Sequence, residues 1–411
     1  MKGSIRKLVL LTDAPQFGGA ERYLVAMAQA AARRGIEPHI SWIPMPGSDT
    51  DIFGQARAEG INISSVTSEH TRSVIGLSHA FAKMINQECP DALIINANGR
   101  RRYWLLPWLA WRAGVPAVWV HQMVDARDHR RLRPRRLGGR MEGLNLWRVP
   151  QALRHRLAAT AATAVITLNA EDHERIVRWQ GVPRRKIHVV PHGVDGQVFR
   201  FDPSGRRRWR EQWGINENER PLVVGTACRL SEEKGVDLLI EAVARLRERR
   251  IPILTVIAGQ GDQKDSLLQL AARRGVAEMI KFVDFVDNMP AFYSALDVFA
   301  LCSRTESFGL ALAEAMTCER AVVATPTAGA RRQIEHHVNG WMLDSFEPTV
   351  LAEALAALSA DTNLRGRLGE TGRICALRQF GIEATLEKTL AALRGMDESR
   401  IVDIRTGLIS A

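Results

Sequence analysis

Two glutamates stand eight positions apart in a stretch that is otherwise mostly small or apolar. Residues 304–316 read RTESFGLALAEAM, with Glu306 near the start and Glu314 near the end. From Gly309 onward the segment is apolar on every side, which predicts a buried helix. A buried, unpaired carboxylate is costly, so Glu314 needs a partner, either a bound ligand or an arginine of the same chain.

The spacing of the two glutamates limits what they can bind. A helical segment of this length spans about 12 Å, which is too far to grip one hydroxyl but suits two polar groups on one elongated ligand. Ser307, Phe308 and Gly309 form the N-terminal turn of the predicted helix, where backbone amides favour an anion. The carboxylates can accept hydrogen bonds from sugar hydroxyls, and the nearby amides can bind phosphate. Together they predict a ligand that carries both a sugar and a phosphate.

Two cations follow a second predicted strand. Residues 225–243 read GTACRLSEEKGVDLLIEAV, so that a strand over 222–227 leads to Arg229 and Lys234, and Gly235 opens a helix. Two cations at a strand end, with helix-terminal amides nearby, make a site for a diphosphate. A solvated loop with incidental charges is the alternative.

The N-terminal half offers two weaker candidates. In DAPQFGGAERYLVAMAQ (13–29), Gly18 and Gly19 precede a helix and would let a ligand approach the backbone closely. The pattern is not G-x-G-x-x-G, so a dinucleotide fingerprint is absent. His121 ends a predicted strand over 117–121, and both a structural and a catalytic role stay open for it.

Short β-branched strands alternate with amphipathic helices along the chain, which predicts α/β domains with doubly wound parallel sheets. The predicted strands lie at 7–13, 37–43, 91–98, 117–121, 164–168, 187–191, 222–227, 253–259, 280–286, 297–301 and 321–326. Residues 195–220 interrupt the alternation and are polar and Arg-rich, as in a linker or a short surface helix. Two such domains predict a cleft, with ligands outside the carboxyl ends of the strands.

Composition sets the class of protein. The 411 residues are 46% hydrophobic and 25% charged, which predicts two globular domains. Five scattered cysteines without C-x-x-C spacing argue against a disulfide framework or a zinc site and favour a reducing compartment. The first apolar run, LVLL, is too short for a signal peptide, and no apolar stretch approaches the ~20 residues of a membrane span. We therefore expect a cytoplasmic protein.

The net charge of +11 is unevenly distributed. Residues 1–200 carry 29 Lys and Arg against 16 Asp and Glu, and the remainder carries 27 against 29. A basic N-terminal half predicts an anionic partner, either a phosphorylated substrate or an acidic membrane face. Arginines and tryptophans concentrate at 100–115 and arginines at 124–140. A core helix, a solvated loop and a membrane contact through residues 100–140 all stay open for these stretches. Nucleic-acid binding is disfavoured because no reading module accompanies the charge.

These motifs, in this order, resemble the retaining nucleotide-sugar glycosyltransferases of family four, which have the GT-B fold. The resemblance rests on GGAERYLVAMAQAAARRG (18–35), PHGVD (191–195), RLSEEKG (229–235), the E-x7-E at 306–314 and AVVATPTAGARRQIEHHVNGWML (321–343). It implies two Rossmann-like doubly wound domains facing a cleft. Residues 1–200 would form the acceptor-side domain, 201–378 the nucleotide-sugar domain, and 379–411 a helix that crosses back to the first domain, followed by a tail.

The resemblance assigns roles to individual residues. Arg229 and Lys234 would neutralise the donor diphosphate, and Glu306 would bind hydroxyls of the transferred sugar. Glu314 would take the ribose diol, and His121 would contact the donor sugar near the reacting centre. Further donor contacts are implied for Gly18, Gly19, Phe282, Val283, Phe285, Ser307, Phe308, Gly309 and Leu310. Two positions depart from the family pattern, which usually has Asn at His192 and commonly Pro at Cys302.

The implied activity is hexosyl transfer with retained configuration, from a UDP-, GDP- or ADP-linked sugar to a lipid-linked or cell-envelope glycan, as in lipopolysaccharide or exopolysaccharide biosynthesis. Neither a cofactor nor a metal is implied, since Arg229 and Lys234 supply positive charge for the departing diphosphate. The expected location is cytoplasmic, with peripheral association at the inner membrane face as an extension. The alternatives are an epimerase or phosphorylase of the same fold, or a non-catalytic basic protein that binds membrane or nucleic acid. A phosphorylase would need a cofactor lysine site, which the sequence does not reveal.

Overall fold

The chain forms two compact units. The computed structural model describes residues 4–13, 18–44, 53–66, 73–96, 103–122, 151–215 and 221–395. The N-terminal unit comprises Met1–Gly193 with Ile382–Ala411, and the C-terminal unit comprises Val194–Gly381. The predicted boundaries at 200 and 378 differ slightly from these. Val194 and Gly381 form a parallel bridge, and the Val194 amide donates to the Phe380 carbonyl at 2.7 Å, which ties both chain segments to the C-terminal unit.

The N-terminal unit is built on a seven-stranded, entirely parallel sheet. Its strands are β1 (Lys7–Thr12), β2 (Glu37–Trp42), β3 (Asn62–Ser65), β4 (Ala92–Asn96), β5 (Ala117–His121), β6 (Ala164–Thr167) and β7 (Ile187–Val189). Their spatial order is β3-β2-β1-β4-β5-β6-β7. The connecting helices are α1 (Gly19–Arg33), α2 (Gly54–Ala58), α3 (Val74–Glu88), α4 (Leu106–Arg112), α5 (Gln151–Ala161) and α6 (Ala170–Arg175).

The C-terminal unit has a six-stranded parallel sheet of the same type. Its strands are β8 (Leu222–Ala227), β9 (Ile253–Ala258), β10 (Ile280–Val283), β11 (Val298–Leu301), β12 (Ala321–Ala324) and β13 (Trp341–Met342), in the order β10-β9-β8-β11-β12-β13. Its helices are α7 (Pro203–Gln212), α8 (Val236–Glu248), α9 (Lys264–Arg273), α10 (Met289–Ala295), α11 (Leu310–Thr317), α12 (Ala328–Gln333), α13 (Pro348–Ala360) and α14 (Thr362–Phe380).

The predicted fold class is confirmed, because both units are α/β with parallel sheets. Strands covered by helices on both faces appear in sequence as continuous apolar runs, and Leu8–Leu11 of β1 are fully buried. The predicted strands at 117–121 and 222–227 match β5 and β8 in full. Two strands were missed: β3 is polar and partly exposed at the sheet edge, and β13 is too short for an apolar run.

The segment predicted as a linker or a short surface helix contains the helix α7, which is fixed to the C-terminal unit. Asp202 caps the helix by accepting a hydrogen bond from the Gly205 amide at 2.9 Å. Arg206 and Arg210 donate to the same carboxylate oxygen of Asp297, at 2.8 and 2.6 Å. Burial opposes the charge of Asp297, but the two guanidinium groups hold the pKa of this carboxyl below its usual range. Helix α7 is therefore a packed part of the unit.

The last helix of the described chain, α15 (Ile382–Leu393), is part of the N-terminal unit. Ile382, Leu386 and Leu390 are buried on one side of it. On its exposed side, Glu383 accepts a hydrogen bond from Arg33 at 2.8 Å, and Glu387 accepts one from Arg34 at 2.7 Å. Both arginines lie at the C-terminal end of α1. The N-terminal unit is thus completed by chain that follows the whole C-terminal unit. Within the described ranges, no helix has both the length and the apolar character needed to cross a membrane.

Candidate functional site

The strand order of the C-terminal sheet changes direction between β8 and β11. The connection after β8 leads towards β9, whereas β11 and β12 extend the sheet the other way. At such a switch point the loops after the two strands diverge and leave a crevice outside their carboxyl ends, where α/β proteins commonly bind ligands. These loops are residues 228–235 and 302–309, and they contain six of the candidate site residues, among them both cations and Glu306.

The two loops are bonded to each other at the base of this crevice. The Arg304 amide donates to the Glu233 carbonyl at 2.8 Å, and its guanidinium donates to both carboxylate oxygens of Asp237, at 2.8 and 2.6 Å. Gly235 has a left-handed φ of 62°, and a Cβ at this position would overlap the carbonyl oxygen of Cys302. Only glycine lets the two backbones approach this closely.

Lys234 and Glu306 meet across the crevice. The Lys234 Nζ donates to Glu306 Oε2 at 2.7 Å, and the two side chains are 22% and 17% exposed. Burial by itself would lower the pKa of Lys234, but the charge and hydrogen bond of Glu306 outweigh it, so that this pKa is raised. Lys234 is therefore held in its charged form at a place that solvent still reaches.

Arg229, the other predicted phosphate ligand, lies on the exposed side of the same loop. Its side chain is 65% exposed and donates to Glu233 Oε1 at 2.6 Å. Burial acts against the charge of Glu233, but a backbone amide, Ser231 and Arg229 together hold its pKa low. Each predicted phosphate-binding cation is thus paired with a carboxylate of its own unit.

Glu314 is buried in α11, as the sequence predicts, and has a partner within the protein. It accepts a hydrogen bond from the Tyr293 hydroxyl of α10 at 2.6 Å. A tyrosine therefore meets this carboxylate within the protein, a partner that the sequence analysis did not consider. The helix begins at Leu310, which is half-buried. Whether Glu314 also binds a ribose diol stays a prediction.

The turn before α11 packs against the start of α12. Gly309 caps α11 with a left-handed φ of 83°. The Gly329 amide donates to the Glu306 carbonyl at 2.9 Å, and a Cβ at Gly329 would overlap the Phe308 carbonyl. Gln333 also donates to this carbonyl, from the last turn of α12. Ser307 and Phe308 are both buried in this turn.

The candidates Phe282, Val283 and Phe285 lie on or just after β10, two strands away from β8. Phe282 and Val283 are half-buried on β10, which is separated from β8 by β9, or about 10 Å at the usual strand spacing. The Val283 carbonyl accepts from the Gly259 amide at 2.8 Å, which fixes the end of β10 beside that of β9. The Phe285 ring is 63% exposed just beyond it. These residues therefore share the carboxyl edge of the sheet with Lys234 without touching it.

In the N-terminal unit, the glycines after β1 form a helix cap. Gly18 precedes α1, and its amide donates to Glu21 Oε2 at 3.1 Å, while Thr12 Oγ1 donates to the other carboxylate oxygen at 3.4 Å. Gly19 is the first residue of the helix. Burial raises the pKa of Glu21 to about 7, against the hydrogen bonds that favour its charged form. Glu21 thus bonds both ends of the β1–α1 loop, next to the β1/β4 switch point of this sheet.

His121 ends β5 and is buried. Its ring lies 4.3 Å from that of Trp119 and 5.4 Å from that of His155 on α5, measured between centroids. Its Nε2 has no hydrogen-bond partner among the described residues. Burial, with a smaller contribution from His155, lowers the pKa of His121 to about 3. The imidazole is therefore neutral at physiological pH.

Part of the basic stretch lies outside the described residues, namely 100–102 and 123–140. The described part contains α4, which buries Leu106, Pro107 and Ala110. Trp111 on the same helix is 62% exposed, and Arg112 beside it is exposed. The core-helix interpretation thus holds for one face of α4, while another face presents a tryptophan and an arginine to solvent. No group of three or more His, Cys, Asp or Glu side chains in the described ranges is arranged to hold a metal ion.

Sequence reasoning did not single out four residues that hold the candidate site residues in place. Tyr293 pairs with Glu314, Glu233 pairs with Arg229, Gln333 fixes the turn before α11, and Glu21 caps α1. Glu21 had a readable signal, since a glutamate three residues after a helix cap is the spacing of a capping box. The others depend on contacts between distant elements.

Two family models match the chain, one in each half. "Glycosyltransferase Family 4" matches residues 17–198, and "Glycosyl transferases group 1" matches residues 206–374. Solved structures share the fold: a complex of Anabaena Alr3699/HepE with UDP superposes with a TM-score of 0.75 at 22% identity, over 95% of this chain and all of that one.

Curated relatives carry glycosyltransferase names. A D-inositol 3-phosphate glycosyltransferase of Xylanimonas cellulosilytica is 35% identical over 54% of this chain, and this match spans about half of the relative, also 54%. The enzyme of the same name from Salinispora arenicola is 28% identical over 87% of this chain and 82% of its own length. A GDP-mannose-dependent alpha-(1-6)-phosphatidylinositol monomannoside mannosyltransferase of Mycobacterium tuberculosis is 32% identical, over 53% of this chain and 58% of its own length.

Proposed function

Because this chain belongs to the family 4 glycosyltransferases of the GT-B fold, we propose that it transfers a sugar from a nucleotide-sugar donor to a lipid-linked or cell-envelope glycan, with retained anomeric configuration. The observation that supports the donor assignment best is the Lys234–Glu306 pair at the β8/β11 switch point. It sets a cation for phosphate and a carboxylate for sugar hydroxyls side by side. An epimerase of the same fold would make the same contacts with the donor. The reaction product distinguishes the two activities, because only a transferase passes the sugar to an acceptor.

In the proposed mechanism, donor binding exchanges the partners of this ion pair. The diphosphate takes Lys234, with Arg229 as a second cation, and the released Glu306 accepts hydrogen bonds from the hydroxyls of the sugar. As the bond to the anomeric carbon breaks, negative charge grows on the diphosphate, and fixed cations and amides stabilise that charge. The acceptor hydroxyl then attacks the anomeric carbon from the face that the diphosphate leaves, and its proton passes to the departing phosphate oxygen. Positive side chains supply the stabilisation, so the proposal includes no metal.

The roles of Gly18, Gly19 and His121 are the less supported part of the proposal. The Gly18 amide is already bonded to Glu21, which leaves the following amides of α1 as the phosphate donors expected of a helix N-terminus. His121 is neutral and buried, so we assign it a contact with the donor sugar rather than proton transfer.

The acceptor is proposed to carry a phosphate or a lipid phosphate. The names of the relatives refer to an inositol phosphate and to a phosphatidylinositol mannoside, and the N-terminal half of this chain is strongly basic. Trp111 and Arg112 on α4 have the chemistry that settles at the surface of an anionic bilayer. We accordingly propose action at the inner face of the membrane.

The test is to incubate the protein with a panel of UDP-, GDP- and ADP-sugars and measure nucleotide release with and without candidate acceptors. Thermal shifts with UDP, GDP and ADP identify the base. Acceptor-dependent release by the wild type, lost in Glu306→Gln, supports the proposal. Absence of both stabilisation and release with every donor would contradict it and favour a non-catalytic binding protein. Interconversion of the donor sugar without transfer would favour the epimerase.

A further inference from the structure

A buried glutamine holds the turn that precedes α11. Gln333 ends α12 and is only 2% exposed. Its amide nitrogen donates to the carbonyl oxygen of Phe308, and lies 3.4 Å from the carbonyl oxygens of Gly309 and Gly329. Three carbonyl oxygens around one end of the side chain identify that end as the NH2 group, because an oxygen there would be repelled. The side-chain amide therefore has one orientation.

These hydrogen bonds control the direction of backbone amides. The carbonyl of Phe308 and the N–H of Gly309 belong to one planar trans peptide, in which the two groups point in opposite directions. A carbonyl held towards Gln333 therefore turns the Gly309 N–H away from α12. The next peptide joins the Gly309 carbonyl to the Leu310 N–H, and this carbonyl is also held by the Leu312 amide at 2.9 Å.

The Phe308–Gly309 peptide is the one that depends on Gln333. Its carbonyl lies outside the helical hydrogen-bond pattern, and glycine adopts other backbone angles more easily than any other residue. In the part of the chain that the structure describes, no acceptor lies on the Gly309 or Leu310 amide. These two amides thus form the free N-terminal end of α11, three and four residues after Glu306.

We propose that Gln333 is a positioning residue, which orients the Gly309 N–H towards the anionic part of the ligand. This inference rests on the proposed function, since it names the residue that arranges donors for the diphosphate. Gln333 does not touch the ligand in this role. It acts through one peptide plane, and its loss lets that plane rotate and present a carbonyl oxygen to the phosphate.

Replacement of Gln333 by leucine separates this role from packing. Leucine is similar in size, and Gln333 Oε1 has no hydrogen-bond partner among the described residues, so the substitution also removes an unfavourable buried group. It also leaves the Phe308 carbonyl without its side-chain donor, so we expect the thermal midpoint of the ligand-free protein to fall, and the comparison of two ligands separates this loss of stability from the proposed role. Gln269→Leu, on the exposed face of α9, makes the same chemical change away from the site and is the control.

The experiment compares Kd values by calorimetry for the nucleoside diphosphate that binds the wild type best, among UDP, GDP and ADP, and for its nucleoside. In Gln333→Leu the Kd of the diphosphate should rise at least about tenfold. The Kd of the nucleoside should stay within about twofold of the wild-type value. In the control Gln269→Leu, the Kd values of both ligands should stay within about twofold. Gln333→Asn, which keeps the amide on a shorter side chain, gives the same comparison if the leucine variant does not fold.

Three results would overturn the inference. An unchanged diphosphate Kd would show that the peptide does not depend on Gln333, and equal losses for diphosphate and nucleoside would show a general structural effect. If the wild type binds none of the diphosphates, the proposed function fails first and the inference with it. The wild-type measurement therefore distinguishes the two failures.

Discussion

At the scale of single residues, the charges of this site are balanced against one another before any ligand binds. Lys234 is paired with Glu306, and Arg229 is paired with Glu233. A diphosphate must therefore compete with carboxylates for both cations. The competing carboxylate at Lys234 is also the proposed sugar ligand, so binding of the phosphate and binding of the sugar become coupled events.

This coupling predicts opposite effects of Glu306→Gln on binding and on turnover. Loss of the competing charge frees Lys234, so the Kd of the nucleoside diphosphate should fall about fivefold, given an ion pair worth roughly 1 kcal/mol. Nucleotide release from the sugar donor should fall on the order of 100-fold, because the contact to the sugar is weakened. Calorimetry and a release assay measure the two quantities.

Glu233→Gln is the matched control, since it frees Arg229 and leaves Glu306 in place. It should tighten diphosphate binding slightly and keep most of the turnover. Parallel losses of affinity and turnover in Glu306→Gln would contradict the exchange of partners.

At the scale of elements, the two loops of the crevice depend on one glycine. Gly235 joins the loop after β8 to α8, and its backbone lies against the carbonyl of Cys302 after β11. The same glycine sits next to Lys234. The stability of the unit and the position of Lys234 therefore both depend on the close approach of the Gly235 backbone to the Cys302 carbonyl.

We expect Gly235→Ala to destabilise the protein more than Gly214→Ala does. Both glycines have left-handed φ values, 62° and 72°, and both belong to the C-terminal unit. A Cβ added at Gly214 would meet no atom within 4 Å, so its substitution should cost only the conformational term, about 1–2 kcal/mol. Gly235→Ala adds an overlap with backbone and should cost at least about 2 kcal/mol more. Urea unfolding midpoints measure the difference, and equal midpoints would refute the close packing.

Helix α1 carries a pH-dependent cap. The folded-state pKa of Glu21 is about 7, above the ordinary value of 4.5. In the folded protein Glu21 therefore keeps its proton at pH values where the unfolded chain has lost it. The stability that this provides is complete below about pH 4.5 and is lost as the pH rises through 7.

The Glu21→Gln variant should lose this dependence, because glutamine can still accept a hydrogen bond from the Gly18 amide but does not ionise. As the pH rises from 5 to 8, the free energy of unfolding of Glu21→Gln should increase relative to that of the wild type by up to about 3 kcal/mol. Chemical unfolding at both pH values measures the shift. A shift of opposite sign would mean that Glu21 is charged when folded.

At the scale of the whole molecule, the N-terminal unit is discontinuous in sequence. Its last helix, α15, follows the entire C-terminal unit and places Ile382, Leu386 and Leu390 in the N-terminal core. The hydroxyl of Thr385 also donates to the Pro191 carbonyl at 3.3 Å. The N-terminal unit therefore cannot complete its core until nearly all of the chain has been made.

Removal of α15 should consequently destabilise the opposite end of the sequence. In a chain that ends at Gly381, hydrogen exchange should accelerate in α1, β5 and β6, and remain slow in β8–β12. Each buried aliphatic side chain that is lost contributes about 1.5–3 kcal/mol, so the effect on the N-terminal unit is large. A chain that ends at Gly395 keeps the helix and is the control, which should show the exchange pattern of the 411-residue chain. Faster hydrogen exchange throughout both units would contradict the inference that each unit has a core of its own.

The local pattern of the sequence determined the elements and the edge on which chemistry could occur. Periods of two and of 3.6 residues mark strands and helices directly, and the apolar runs at 117–121 and 222–227 became β5 and β8 in full. Since all strands are parallel, residues that follow them share one edge of the sheet. Lys234 and Glu306 could therefore be assigned to the same region before their contact was known. The burial of Glu314 followed from the apolar segment around it.

Only the tertiary structure decided which distant residues meet. Lys234 reaches Glu306 because β8 and β11 are neighbours, and the hydroxyl that meets Glu314 comes from Tyr293 on another helix. The contact between Gln333 and Phe308 likewise depends on the packing of α12 against the start of α11. A local pattern reports the repeat of a helix or strand, whereas the order of strands in a sheet is a property of the whole packed unit. Partners separated by tens of residues follow from that order, and so they could not be read from spacing.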